Sequence, residues 1–145
     1  MKAVGTWMGG FRTRLEDDRG HSVVVDLPTE EGGRNLGPSA LELSVLSLAG
    51  CISTIFALVA QRRRLRYDSF HVDLVAARPA GSRTITSVEG TARIETSSSP
   101  EEAEMTLRVT LRTCPVGVLL EQAGVPVRVH ALVVPTIPPT STGPT

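Results

Sequence analysis

Apolar and polar residues alternate in several short stretches of this chain and run together in one long one. Lys2 to Met8 and "HSVVVDLP", His21 to Pro28, read as short strands, and "EDDRG" between them supplies turn chemistry, so the two predict a hairpin. "YDSFHVDLVAAR", Tyr67 to Arg78, sets Phe70, Val72 and Leu74 on one face and Ser69, His71 and Asp73 on the other. "PAGS" then turns the chain into "TITSVEGTARIET", Thr84 to Thr96, which predicts a second hairpin. "VPVRVHALVV" closes the pattern as a strand with Val125, Val127, Val129 and Val133 on one side.

The helices announce themselves through their caps. "TEEGGRNLGPS", Thr29 to Ser39, is Gly-rich loop, and Ser39 with Glu42 three residues on forms a capping box. The helix it opens is expected to run to about Arg64, where arginines complement the C-terminal dipole. From Leu43 to Ala60 there are 18 consecutive uncharged residues. That length is near the lower limit for a membrane span, and Ser44, Ser47, Gly50, Ser53 and Thr54 interrupt it, so no membrane partner is expected. A helix apolar on nearly all sides is a buried central helix. So small a chain has difficulty surrounding one alone, which points to a dimer. Ser99, Pro100 and Glu102 form a second capping box. "EMTLRVTLRT" beyond it fits both periods, since Met105, Leu107, Val109 and Leu111 alternate while Ala103, Leu107 and Leu111 share a helical face; we assign helix. A short helix, "PVGVLLEQAG", ends at Gly124. The expected architecture is α+β, in the order β-β-α-β-β-α-α-β, as one domain over 1–134, with a disordered Pro/Thr-rich tail over 135–145.

Composition narrows the function. Fifteen Lys and Arg balance 15 Asp and Glu, so no long-range field attracts nucleic acid, and 3% aromatic content argues against base stacking. "RRRLR", Arg62 to Arg66, reads as dipole partners and solvated surface. The N-terminus has no apolar signal core, so the expected compartment is the cytoplasm. His21, His71 and His130 have no ligand spacing, and two cysteines cannot complete a four-ligand zinc site; no metal and no cofactor is expected.

The cysteines remain as candidate chemistry. Ser44, Ser47 and Thr54 share a helical face with Cys51. Small residues there serve close helix packing, with Cys51 as a small hydrophobe. They equally suit a nucleophilic thiol in a polar crevice that a hydroperoxide with an apolar tail can enter. Cys114 precedes Pro115, which marks it as a helix N-cap whose thiol is expected to lean toward thiolate; the alternative is an ordinary loop cysteine.

Taken together, "GPSALELSVLSLAGC" and "CPV" at Cys114 to Val116, with "GHSVVVDLPTEEGGRNLGPS" before them, make the chain resemble the OsmC/Ohr family over roughly residues 10 to 134. The resemblance implies an intertwined homodimer in which long central helices are wrapped by antiparallel sheet. It also implies a thiol-dependent peroxidase for organic hydroperoxides. Cys51 would become a sulfenic acid, Cys114 would condense with it to a disulfide, and an external dithiol would reduce that disulfide. The family's carboxylate ten residues before the reactive cysteine is replaced by Leu41; Glu42 is the neighbouring candidate, though a straight helix points it away from Cys51. For the family's arginine, Arg12 and Arg14 are the candidates, with Arg19 and Arg34 behind them. The rival reading is a non-catalytic dimer of the same fold that binds a small apolar ligand.

Overall fold

A computed structural model describes residues 1–136. It forms two compact units, one from Met1 to Leu46 and one from Ser47 onward, with the first long helix running through the boundary. The first unit holds strands β1 (Ala3–Trp7), β2 (Thr13–Asp17) and β3 (Ser22–Val25) in an antiparallel sheet of that order. The expected hairpin therefore contains one more strand. The chain reverses first at Gly9 and Gly10, both at positive φ, and again after Asp17, whose carboxylate accepts the Arg19 and His21 amides at 2.8 and 2.9 Å. Thr13–Asp17 carries a single aliphatic side chain, Leu15, among four polar ones, so its alternation is too faint to read as a strand.

Helix α1 spans Ala40–Arg63. Its capping box is formed as expected: Ser39 N–H donates to Glu42 Oε2 at 2.7 Å, and Glu42 N–H donates to Ser39 Oγ at 3.2 Å. It ends in a Schellman motif, with Leu65 N–H on Ala60 O at 3.0 Å and Arg64 N–H on Gln61 O at 3.2 Å. Arg64, not glycine, occupies the left-handed position at φ 58°.

The second unit contains β4 (Tyr67–Ala77), β5 (Ser87–Thr96), α2 (Pro100–Thr113), α3 (Pro115–Gln122) and β6 (Val127–Pro135). Ser99 caps α2 in a complete capping box, and α3 closes on Gly124 at φ 80°. The stretch that fitted two periods is helical because its apolar face, Ala103 and Leu107, has a core to enter. Its polar groups are also satisfied, with Thr106 and Thr110 donating to the Glu102 and Thr106 carbonyls at 2.7 and 2.9 Å. Sheet order is β4-β5-β6; β4 and β5 are antiparallel, but β5 and β6 are parallel. The expected antiparallel sheet thus includes one parallel pair. The helical pair α2 and α3 carries the chain back to its starting end, which is the crossover a parallel pair requires.

Phe56 and Ala60 of α1, Ala92 and Ile94 of β5, and Ala103 and Leu107 of α2 form the core of this unit. Phe56 stacks on Phe70 with centroids 4.0 Å apart and meets Tyr67 edge-on at 5.3 Å. Its complete burial contributes about 2–3 kcal/mol. The remaining surface of α1 is much less covered, with Leu46 57% and Leu58 44% exposed. β6 includes Pro135, and Thr136 N–H donates to Thr96 O at 2.9 Å, so ordered structure extends past the expected domain end. The rest of the expected tail lies outside the described residues.

Candidate active site

Cys51 lies on α1 between Leu48 and Ile52, which are both fully buried, and is itself half-buried. Cys114 stands at the junction of α2 and α3 and belongs to both. Its N–H donates to Thr110 O at 2.8 Å, closing α2, and its carbonyl accepts Val118 N–H at 2.9 Å, opening α3. Pro115 takes the first position of α3, where its missing N–H costs nothing. Two helix ends thus fix the backbone of one cysteine.

The structure brings the two cysteines together. The Cys114 thiol is fully buried and in hydrogen-bonding contact with Cys51, and both sulfurs are free thiols. Gly117, in the first turn of α3, lies against Cys114: a Cβ built on it would stand 3.6 Å from Sγ and 3.8 Å from Leu48 Cδ1. Burial pushes the Cys114 thiol up to about 11 from an ordinary 9.0, and the contact with Cys51 adds to the rise. The Gly117 and Val116 amides at the start of α3 act in the opposite direction and offset only part of it. The expectation that an N-cap position would make Cys114 lean toward thiolate is therefore corrected. Desolvation of the charged form outweighs the helix dipole.

Of the hydroxyls around Cys51, Ser44 donates to Leu41 O at 2.6 Å and the neighbouring Ser53 donates to Ala49 O at 2.9 Å, so both are turned onto their own helix. Thr54 is exposed. Glu42 is engaged at the cap, where the Ser39 N–H and hydroxyl hold its carboxyl below the ordinary carboxylate range. Arg12 lies in the turn between β1 and β2, with Nη2 3.4 Å from Met8 O. Arg14 pairs with Glu16 at 3.0 Å and Arg19 with Asp17 at 3.4 Å, all on the surface. The three histidines are exposed; His21 pairs with Asp17 at 2.8 Å and His71 with Asp73 at 3.2 Å. Among the described residues no three His, Cys, Asp or Glu side chains converge on a metal position.

Sequence reading passed over Asp26. This residue, 2% exposed, accepts the Leu27 amide at 2.9 Å on one oxygen and the Arg34 and Leu36 amides at 3.1 and 3.2 Å on the other. Burial raises its pKa, but those three bonds and the charge of Arg12 outweigh it and hold the group below its ordinary value. The carboxylate thereby organises the Gly-rich loop that leads into α1. An aspartate at a strand end just before such a loop was the available signal.

A family model described as OsmC-like protein matches residues 32–130, well over half of the chain. No curated protein matches. Among solved structures, the OsmC-like protein of Mycoplasma pneumoniae superposes with a TM-score of 0.81 at 14% identity, covering 92% of this chain and 96% of that one. An organic hydroperoxide resistance protein OsmC from Legionella pneumophila gives 0.68 at 16%, covering 90% and 96%. An organic hydroperoxide resistance protein from Elizabethkingia anophelis gives 0.72 at 19%, covering 92% and 97%. At these identities the superpositions speak for the fold, and the family match speaks for the lineage. With the helix that carries Cys51 and the CPV turn that carries Cys114 packed against each other, the chain belongs to the OsmC-like family.

Proposed function

We propose that the protein is a cytoplasmic, homodimeric thiol peroxidase that reduces organic hydroperoxides to alcohols. The Cys51 thiolate attacks the distal peroxide oxygen, the O–O bond breaks, and the departing alkoxide takes up a proton from solvent to become the alcohol. Cys51 is then a sulfenic acid, which the Cys114 sulfur attacks to form a disulfide with loss of water. An external dithiol restores both thiols. The observation that carries this reading is the contact between a half-buried Cys51 and a fully buried Cys114, so that the second sulfur already waits where the sulfenic acid would form. Relatives bearing the name organic hydroperoxide resistance protein support the substrate class. Arg12 and Arg14 are the candidates for stabilising the thiolate, and Glu42 is a weaker one because the cap already engages it. The incompletely covered α1 supports the homodimer, and light scattering of the purified protein should give twice the chain mass; a well-folded monomer would remove that part.

The enzymatic test is turnover with an alkyl hydroperoxide and a dithiol. Cys51→Ser abolishes it, and Cys114→Ser leaves a sulfenic acid that a dimedone-type probe labels. Unchanged activity in Cys51→Ser sinks the mechanism. Leu41, standing where the family's peroxidases place a carboxylate, favours the second reading, a dimer that binds a small apolar ligand without turnover. Apolar ligand binding by the Cys51→Ser, Cys114→Ser double variant, without peroxide consumption by the parent, would select it.

A further inference from the structure

We propose that the external reductant opens the Cys51–Cys114 disulfide by attacking Cys51 Sγ, and that Cys114 is the sulfur expelled. This rests on the redox pairing proposed above and adds which atom the reductant meets. Cys114 is fully buried, pinned by the end of α2 and the start of α3, with Gly117 against its sulfur. Cys51 is half-buried on α1, against the complete burial of Cys114. An attacking thiolate must approach along the axis of the S–S bond, opposite the leaving sulfur. Cys114 offers no exposed surface from which such an approach could start.

The step balances with a dithiol as reductant. Its thiolate forms a bond to Cys51 Sγ, the Cys51–Cys114 bond breaks, and the electron pair goes to Cys114 Sγ, which takes up a proton. The reductant's second thiolate then attacks its own bonded sulfur. Cys51 leaves as thiolate, and the reductant departs as a cyclic disulfide. The raised pKa makes Cys114 the poorer leaving group, so access, and not leaving-group quality, directs the attack to Cys51. Cys114 stays in contact with Cys51 after expulsion and can reclose on a monothiol adduct, whereas a second thiol in the same molecule drives the reduction to completion.

The test forms the disulfide with diamide, so that it does not depend on peroxide chemistry. The oxidised protein is mixed with 2-mercaptoethanol, quenched in acid at short times, blocked at its freed thiols with N-ethylmaleimide in denaturant and digested with trypsin, which separates Cys51 and Cys114 by cleavage at Arg62 and Arg112. The mercaptoethanol adduct is expected on the Cys51 peptide; an equal or larger share on the Cys114 peptide overturns the proposal. Should reclosure outrun the quench, the single-cysteine proteins decide. At pH 7 an aromatic disulfide should modify Cys51 in Cys114→Ser at least several-fold faster than Cys114 in Cys51→Ser, because Cys114 is fully buried and Cys51 is not. Comparable rates overturn it. If diamide forms no disulfide, the pairing itself fails. Disulfide formation with diamide but not with a hydroperoxide removes only the peroxidase reading.

Discussion

Cys114 is a thiol in the folded protein at neutral pH, and that protonation state is linked to stability. Its folded pKa is about 11, against 9.0 for an ordinary thiol. Between those values the unfolded chain gives up its proton while the folded chain keeps it. The unfolded state then binds fewer protons, so stability falls as pH rises. The contribution is complete below pH 9, is lost progressively as pH climbs through 11, and is flat beyond. A two-unit difference corresponds to roughly 2–3 kcal/mol in full, of which about 2 is already lost at pH 10.5. The assay is urea unfolding under a phosphine reductant at pH 8 and pH 10.5, for the parent and for Cys114→Ala. Groups that titrate in this window away from the pair are common to both proteins, so the difference reports the Cys51–Cys114 pair. The parent should lose about 2 kcal/mol more than the variant over that interval. Equal losses would show that the thiol is not held protonated by burial, and would also weaken the reason for expecting slow reaction at Cys114.

Two further substitutions test the backbone account. Gly90 pairs with Leu74, and a Cβ there would stand 2.1 Å from Asp73 O and 2.7 Å from Leu74 Cδ2, so Gly90→Ala should lower stability by roughly 3 kcal/mol in the same urea assay. A change within experimental error would mean that the β4–β5 approach is looser than described. Arg64→Gly should raise stability by about 1 kcal/mol, because the left-handed C′ position of α1 penalises a side chain; a loss of stability would contradict the Schellman geometry.

What the sequence disclosed depended on how locally each feature is determined. Both capping boxes, at Ser39 and Ser99, and the Gly124 stop are set by a few adjacent residues and were legible as such. The stretch from Glu104 to Thr113 fits both periods in sequence, and the burial of Ala103 and Leu107 on one face is what makes it the assigned helix. β2 was not legible because four of its five residues are polar and its identity comes from pairing with β1 and β3. The parallel pairing of β5 with β6 is a property of the crossover, not of either strand's pattern.

At the candidate site, local reading correctly made Cys114 an N-cap but assigned the dipole more weight than desolvation. How deeply a side chain is buried depends on what packs over it, and here that includes Gly117 and Cys51, the latter 63 positions away in sequence. Asp26 was missed for a related reason. Its three amide partners lie as far along the chain as Leu36, and only the folded loop gathers them around one carboxylate.

The central claim is that Cys51 and Cys114 act as one redox pair toward organic hydroperoxides. It is tested most directly by the intact mass and free-thiol count of the fully reduced protein before and after one equivalent of an alkyl hydroperoxide. The account predicts rapid loss of two hydrogens and of both thiols, with one alcohol formed per chain. Two thiols surviving unchanged, with the peroxide intact, would contradict it.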